Sequence, residues 1–202
     1  MTILTCIFLF LSLLQPTQVS NSKQKPPVDS HFSVLDVAIG KDNFQTLQHR
    51  LGPTRKCQTK EHEGVSIAGY ASADEEVVFE FGDAGGGDVT GFFLALPARK
   101  TACRLSPLSP QSSPLATKGG AHLGMTEREF VSMFGDPETR NPSGHWKYDW
   151  TVESKYTEDE KKAASTAGHP VPSDTYLIGI VVEAQFEKGI LQYFYISRTE
   201  ST

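Results

Sequence analysis

The chain has 202 residues, with 19 Lys and Arg against 24 Asp and Glu, a formal charge of -5; 38% of its residues are hydrophobic and 21% are charged. That balance fits a globular chain and excludes a disordered, collagenous or multi-span membrane protein. The acidic surplus also argues against nucleic acid as a partner, because a phosphate binder carries a basic surplus on at least one face.

Residues 3–14 are an apolar run, broken by Gln15 and Pro16. A spanning helix needs about 20 apolar residues, so this run is too short to cross a bilayer comfortably. Small residues at Ser20 and Ser22 follow, which gives 1–22 the form of a secretory signal peptide. The n-region has no Lys or Arg, and the alternative is an uncleaved N-terminal anchor. Cleavage after Ser22 would remove Cys6 and leave Cys57 and Cys103, an even number in an exported chain, so these two are expected to form a disulfide. No CxxC spacing occurs, and no zinc motif forms from two isolated cysteines.

Residues 23–30 read as a loose leader. Phe44, Leu47 and Leu51 recur on one face of a short helix, with Asp42 as N-cap, Gln45 as its capping-box partner and Gly52-Pro53 as its end. Strands are expected at 65–70, 76–81 and 89–96; the second alternates Val77, Phe79 and Phe81 against Glu76, Val78 and Glu80, the period of a half-buried strand. The Gly-rich stretch 82–88 joins the last two as a hairpin loop. It opens no helix, as a phosphate loop must, and lacks the spaced carboxylates of a calcium loop. Residues 104–120, rich in Ser, Pro and Gly, read as a linker.

The pattern then starts again. Thr126 and Glu129 form a capping box, Phe130, Met133 and Phe134 mark one helix face, and Gly135 to Pro137 end it. Strands are expected at 145–152, 176–186 and 190–197, with a turn at 187–189. The halves align as helix, Gly-Pro or Gly-Asp-Pro, polar loop, then three strands. The reading is therefore α+β: a first module over 31–103 and a second over 121–202, each a helix plus a three-stranded antiparallel sheet, with the helices on one face. Residues 153–174 are an insertion that reads as a solvated excursion, with 158–164 as one or two turns of helix.

Gly124, Met125, Thr126 and Glu127, then Phe134 to Pro137, then Trp146 and Tyr148, then a strand-turn-strand ending, resemble the exported modules of the SmpA/OmlA (BamE-like) outer-membrane-assembly lipoproteins and the tandem β-lactamase-inhibitor proteins. The resemblance covers roughly 75 residues of the second half well and the first half weakly. It implies a binding role without catalysis. The chain departs from the lipoproteins in having no lipid-anchor Cys.

Candidate binding residues are the aromatics Trp146, Tyr148, Trp150, Tyr193 and Tyr195, since large side chains with a polar tip suit a recognition surface. Strand parity leaves open whether Trp146, Tyr148 and Trp150 face outward or lie in the core beneath the second helix. None of the six histidines has H-x-x-x-H spacing, and Glu61, His62 and Glu63 read as a solvated cluster. Gly64 to Ala68 miss the nucleophile-elbow pattern at the last position, and no paired carboxylates suggest acid–base chemistry. No catalytic residue, cofactor or metal is expected. The functional expectation is an exported, secreted or periplasmic, non-catalytic protein that recognises a protein or cell-envelope component. The alternatives are an envelope assembly or structural accessory held at the membrane by a retained N-terminal segment, and a small secreted hydrolase.

Overall fold

A computed structural model of the chain describes residues 25–58, 65–82, 87–97, 103–109, 115–166, 168 and 173–201. The signal segment 1–22, the cluster Glu61 to Glu63 and most of the loop 82–88 lie outside the described residues.

Each of the two helices that face the core is built by a local code. Helix α1 (Phe44–Leu51) is capped by Asn43, whose side chain accepts from the Thr46 N–H at 3.0 Å, not by Asp42 as the spacing suggests. Asp42 is used otherwise: its carboxylate accepts from the Ala38 N–H and from Arg50, both at 2.7 Å. Helix α2 (Glu127–Phe134) carries the full Thr126/Glu129 capping box. Both helices end at a glycine in the left-handed φ region, Gly52 at φ 94° and Gly135 at φ 78°, where a side chain would be strained. In both halves a tyrosine of the following strands locks that end. Tyr70 donates to the Gly52 carbonyl at 2.7 Å and Tyr148 to the Gly135 carbonyl at 3.0 Å.

The strands are β1 (Ser33–Val34), β2 (Val37–Ala38), β3 (Cys57–Gln58), β4 (Val65–Ala71), β5 (Glu76–Gly82), β6 (Val89–Ala95), β7 (Ser106–Pro107), β8 (Thr139–Arg140), β9 (His145–Lys155), β10 (Thr175–Glu187) and β11 (Ile190–Ser201). Apart from the β1–β2 hairpin they form one 9-stranded sheet, ordered β3-β4-β5-β6-β11-β10-β9-β8, with β7 parallel to β4. This overturns the expected α+β pair of modules. The protein is mostly β, and the strands of the two halves are merged through antiparallel pairing of β6 with β11, from Gly91–Ser197 to Ala95–Tyr193. The physical reason is edge satisfaction. Two separate three-stranded sheets would each leave β6 or β11 with unpaired backbone groups, and joining them removes two edges at once.

One face of the sheet carries the core. Phe79 and Phe81 of β5, Phe92 and Leu94 of β6, Phe194 and Ile196 of β11, Val182 and Ala184 of β10 and Trp146 and Tyr148 of β9 are buried in one cluster with Leu47 of α1 and Phe130 and Phe134 of α2. Phe130 is its hub, with ring centroids 5.6 to 6.5 Å from Trp146, Tyr148, Phe186 and Phe194.

The Ser/Pro-rich stretch 104–120 packs where it is described. Leu108, Leu115 and Thr117 are buried, and the Thr117 hydroxyl lies 3.3 Å from Nδ1 of buried His31. Residues 29–34 and 117–121 interlock through backbone bonds from Gly119 to Ser30 and from Lys118 to Ser33. The Cys57–Cys103 disulfide forms, with Cα atoms 6.1 Å apart, and ties the start of this stretch to β3. The insertion is shorter than the sequence suggests: β9 and β10 run to Lys155 and from Thr175, and α3 (Glu158–Thr166) has no buried residue.

Candidate functional site

The five candidate aromatics do not share a surface. Trp146, Tyr148 and Trp150 are 2%, 1% and 4% exposed and belong to the core beneath α2, so the structure corrects their reading as contact residues. Alternation along β9 turns them inward while His145, Lys147 and Asp149 face the other way. Tyr193 and Tyr195 lie on the opposite face, half-buried. Parity alone misleads along β11. The register shifts between Gln185 and Phe186, so that Phe186 pairs with Leu191 and Gln185 with Tyr193. Gln192 is the extra residue of this bulge, which brings Leu191 into phase with Phe194 and the core.

The open face is read off the register. One row across the sheet is Val78, Phe93, Tyr195, Glu183 and Lys147; the next is Glu80, Gly91, Ser197, Val181 and Asp149. On the first-half side this face is closed. A Cβ on Gly69 would stand 2.8 Å from side-chain atoms of both Leu105 and Val78, so the bare glycine lets Leu105 lie on the strands. Beyond that lies a depression of about 380 Å³. Among the described residues it is lined by the rings of Phe93, Tyr193 and Tyr195, by Val181 and Ser197, and by Glu80, Glu183 and Lys147. The Phe93 and Tyr193 rings are 5.7 Å apart. Phe93 is the member that sequence reasoning missed; it was hidden inside an apolar run, and only the β6–β11 pairing sets it beside Tyr195.

Tyr195 is the polar centre. Its hydroxyl donates to Glu80 Oε2 at 2.8 Å. Burial pushes its pKa up, and the neighbouring Glu80 charge adds to that, so the phenol stays protonated. Gly91 makes room for the contact, since a Cβ there would come within 3.0 Å of Glu80 Oε2 and of the Ser197 Cβ. At the rim, His145 faces Glu183 at 3.5 Å and Lys147 faces Asp149 at 3.5 Å.

A second depression, of about 660 Å³, lies between Pro53 to Cys57 and Cys103 to Pro107. Among the described residues its lining includes no carboxylate or imidazole, and its two cysteines are joined in the disulfide. Among the described residues no group of three or more His, Cys, Asp or Glu side chains is placed to hold a metal ion, and no helix is long and apolar enough to cross a membrane. The disulfide suggests a non-cytoplasmic location. The chain matches no model of a known family, no curated protein and no solved structure.

Proposed function

We propose that the protein is an exported, non-catalytic binding protein that recognises a protein or cell-envelope partner through the open face of its sheet. The observation that carries this reading is the half-buried cluster of Phe93, Tyr193 and Tyr195, on the face opposite α1 and α2. Rings fixed by strand pairing offer contact area with little rotamer entropy left to lose, and the tyrosine hydroxyls tolerate a wet rim. Export is supported by the disulfide and by the signal-like form of residues 1–22.

Affinity capture from the extracellular or envelope fraction of the source cells tests it. The unaltered protein should retain a partner, Phe93→Ala and Tyr193→Ala should lose it, and the core variant Trp146→Phe should keep it. Unchanged retention by both face variants would sink the proposal.

A further inference from the structure

We propose that the protein pairs with a second copy of itself along the outer edge of β9, the two strands running antiparallel about a two-fold axis at Val152. The terminal strand β8 covers little of that edge. It pairs with Trp146 and Lys147, whereas β9 runs on to Lys155. Among the described residues no strand pairs with Tyr148 to Lys155 on that side. The two ends of β9 show which way its backbone groups point. The His145 carbonyl accepts from the Asn141 N–H on the β8 side, and the Tyr156 N–H donates to the Asp174 carbonyl on the β10 side. Backbone groups alternate between the two sides of an antiparallel strand, and the β9–β10 register is unbroken from His145 to Lys155. Asp149, Thr151, Glu153 and Lys155 therefore turn their N–H and C=O groups outward. An edge of this kind is a template for another strand.

The side chains select the partner and the register. Asp149, Thr151, Glu153 and Lys155 share the open face of the sheet, and the last three are exposed. A two-fold axis normal to the sheet carries each face onto itself, so it passes at a residue and sets like-facing side chains opposite one another. Centred on Val152, it places Asp149 against Lys155 and Thr151 against Glu153, each contact occurring twice. These same residues have the outward backbone groups, so each pair exchanges two backbone hydrogen bonds. On the other face Val152 meets Val152. A shift of one residue either way loses this match. Centred on Thr151, the axis opposes Asp149 to Glu153 and Lys147 to Lys155; centred on Glu153, it opposes two Glu153 carboxylates. Like charges directly opposite are destabilising. The charge of -5 on each copy is spread over the molecule and is screened beyond about 8 Å at physiological ionic strength, whereas the Asp149–Lys155 contacts are direct. The paired residues 149–155 lie beyond those that β8 covers, so β8 keeps its own pairing. The pairing edge is separate from the depression around Tyr195, and both open faces lie on one side of the joined sheet.

Sedimentation of the full mature protein, with its disulfide intact, tests the pairing. A monomer–dimer equilibrium is expected, and the amide protons of Thr151 and Glu153 should exchange more slowly as protein concentration rises. Thr151→Pro removes an outward N–H at an edge position, where proline is tolerated, and should leave a monomer. Lys155→Asp sets like charges opposite each other at both ends of the paired stretch and should weaken the dimer about tenfold. Asp149→Lys combined with Lys155→Asp puts opposite charges back in register and should restore the dimer. Both changed side chains lie at the surface, so this swap reads the pairing even if Thr151→Pro fails to fold. A protein that stays monomeric up to about 1 mM overturns the proposal. So does a dimer that folded Thr151→Pro or Lys155→Asp leaves unchanged, and so does a dimer weakened by Lys155→Asp that the swap fails to restore.

Discussion

Burial holds the His31 imidazole below its ordinary pKa of 6.5, in a niche made by the Phe134 ring at 4.7 Å and the Thr117 hydroxyl. Gly119 is part of the fit, because a Cβ there would collide with the imidazole. The sign of the pH effect follows from the direction of the shift. As pH falls through about 6.5 the unfolded chain takes up the proton first, while native His31 stays neutral. Between that pH and the lowered native pKa, stability falls on acidification; below the native pKa this contribution levels off. Urea unfolding from pH 8 to pH 5 should therefore show a decline that His31→Gln reduces, since glutamine keeps a hydrogen-bonding group and does not titrate. Parallel pH profiles for the two proteins would contradict it.

At the scale of elements, α1 and α2 each have eight residues, too few to be stable alone in water. Their caps and their packing on the sheet hold them. In α2 the Thr126 side chain and the Glu129 carboxylate satisfy N-terminal donors reciprocally, while Phe130 and Phe134 dock on β9 to β11. Thr126→Ala should cost about 1 kcal/mol. The urea midpoint should drop with an unchanged slope, and an unchanged midpoint would show that packing alone holds the helix. The short segment Gly124 to Pro137 and the aromatics Trp146 and Tyr148, which carry the resemblance noted in the sequence, all have structural tasks here: a cap, a helix end and a core. They account for how the second half folds rather than for what it binds.

At the scale of the whole molecule, the disulfide joins residues 46 apart and fastens the stretch after Cys103 beside β4. In the chain-entropy model such a loop stabilises the fold by about 4 kcal/mol. Cys57→Ser with Cys103→Ser, or reduction of the native protein, should lower the unfolding free energy by that order. The effect should centre on the first half, where Leu105 closes the sheet face over Gly69 and Val78. Amide exchange should speed up in β3 and β4 before β9 to β11, and uniform acceleration across the sheet would contradict this arrangement.

The sequence by itself determined the local events. The 3.6-residue spacing of Phe44, Leu47 and Leu51 and the Thr126/Glu129 box are properties of neighbouring residues, and the helices follow from them; the alternation in β5 marks a strand, but that strand is buried on both faces from Glu76 to Phe81 rather than half-buried as its period suggests. The even pair of cysteines carried the disulfide for the same reason, since its argument needs only compartment and count. Tertiary structure alone decided how the strands join. Nothing within β6 or β11 states that they will pair, because edge pairing depends on which backbone groups would otherwise stay unsatisfied. It also decided which aromatics reach the surface. A one-residue bulge at Gln192 reverses the inside–outside pattern along β11, and the cover of α2 turns Trp146, Tyr148 and Trp150 from candidate contacts into core. The acidic surplus that first argued against nucleic acid is placed by the structure in part at Glu80 and Glu183, beside the half-buried rings of Phe93, Tyr193 and Tyr195.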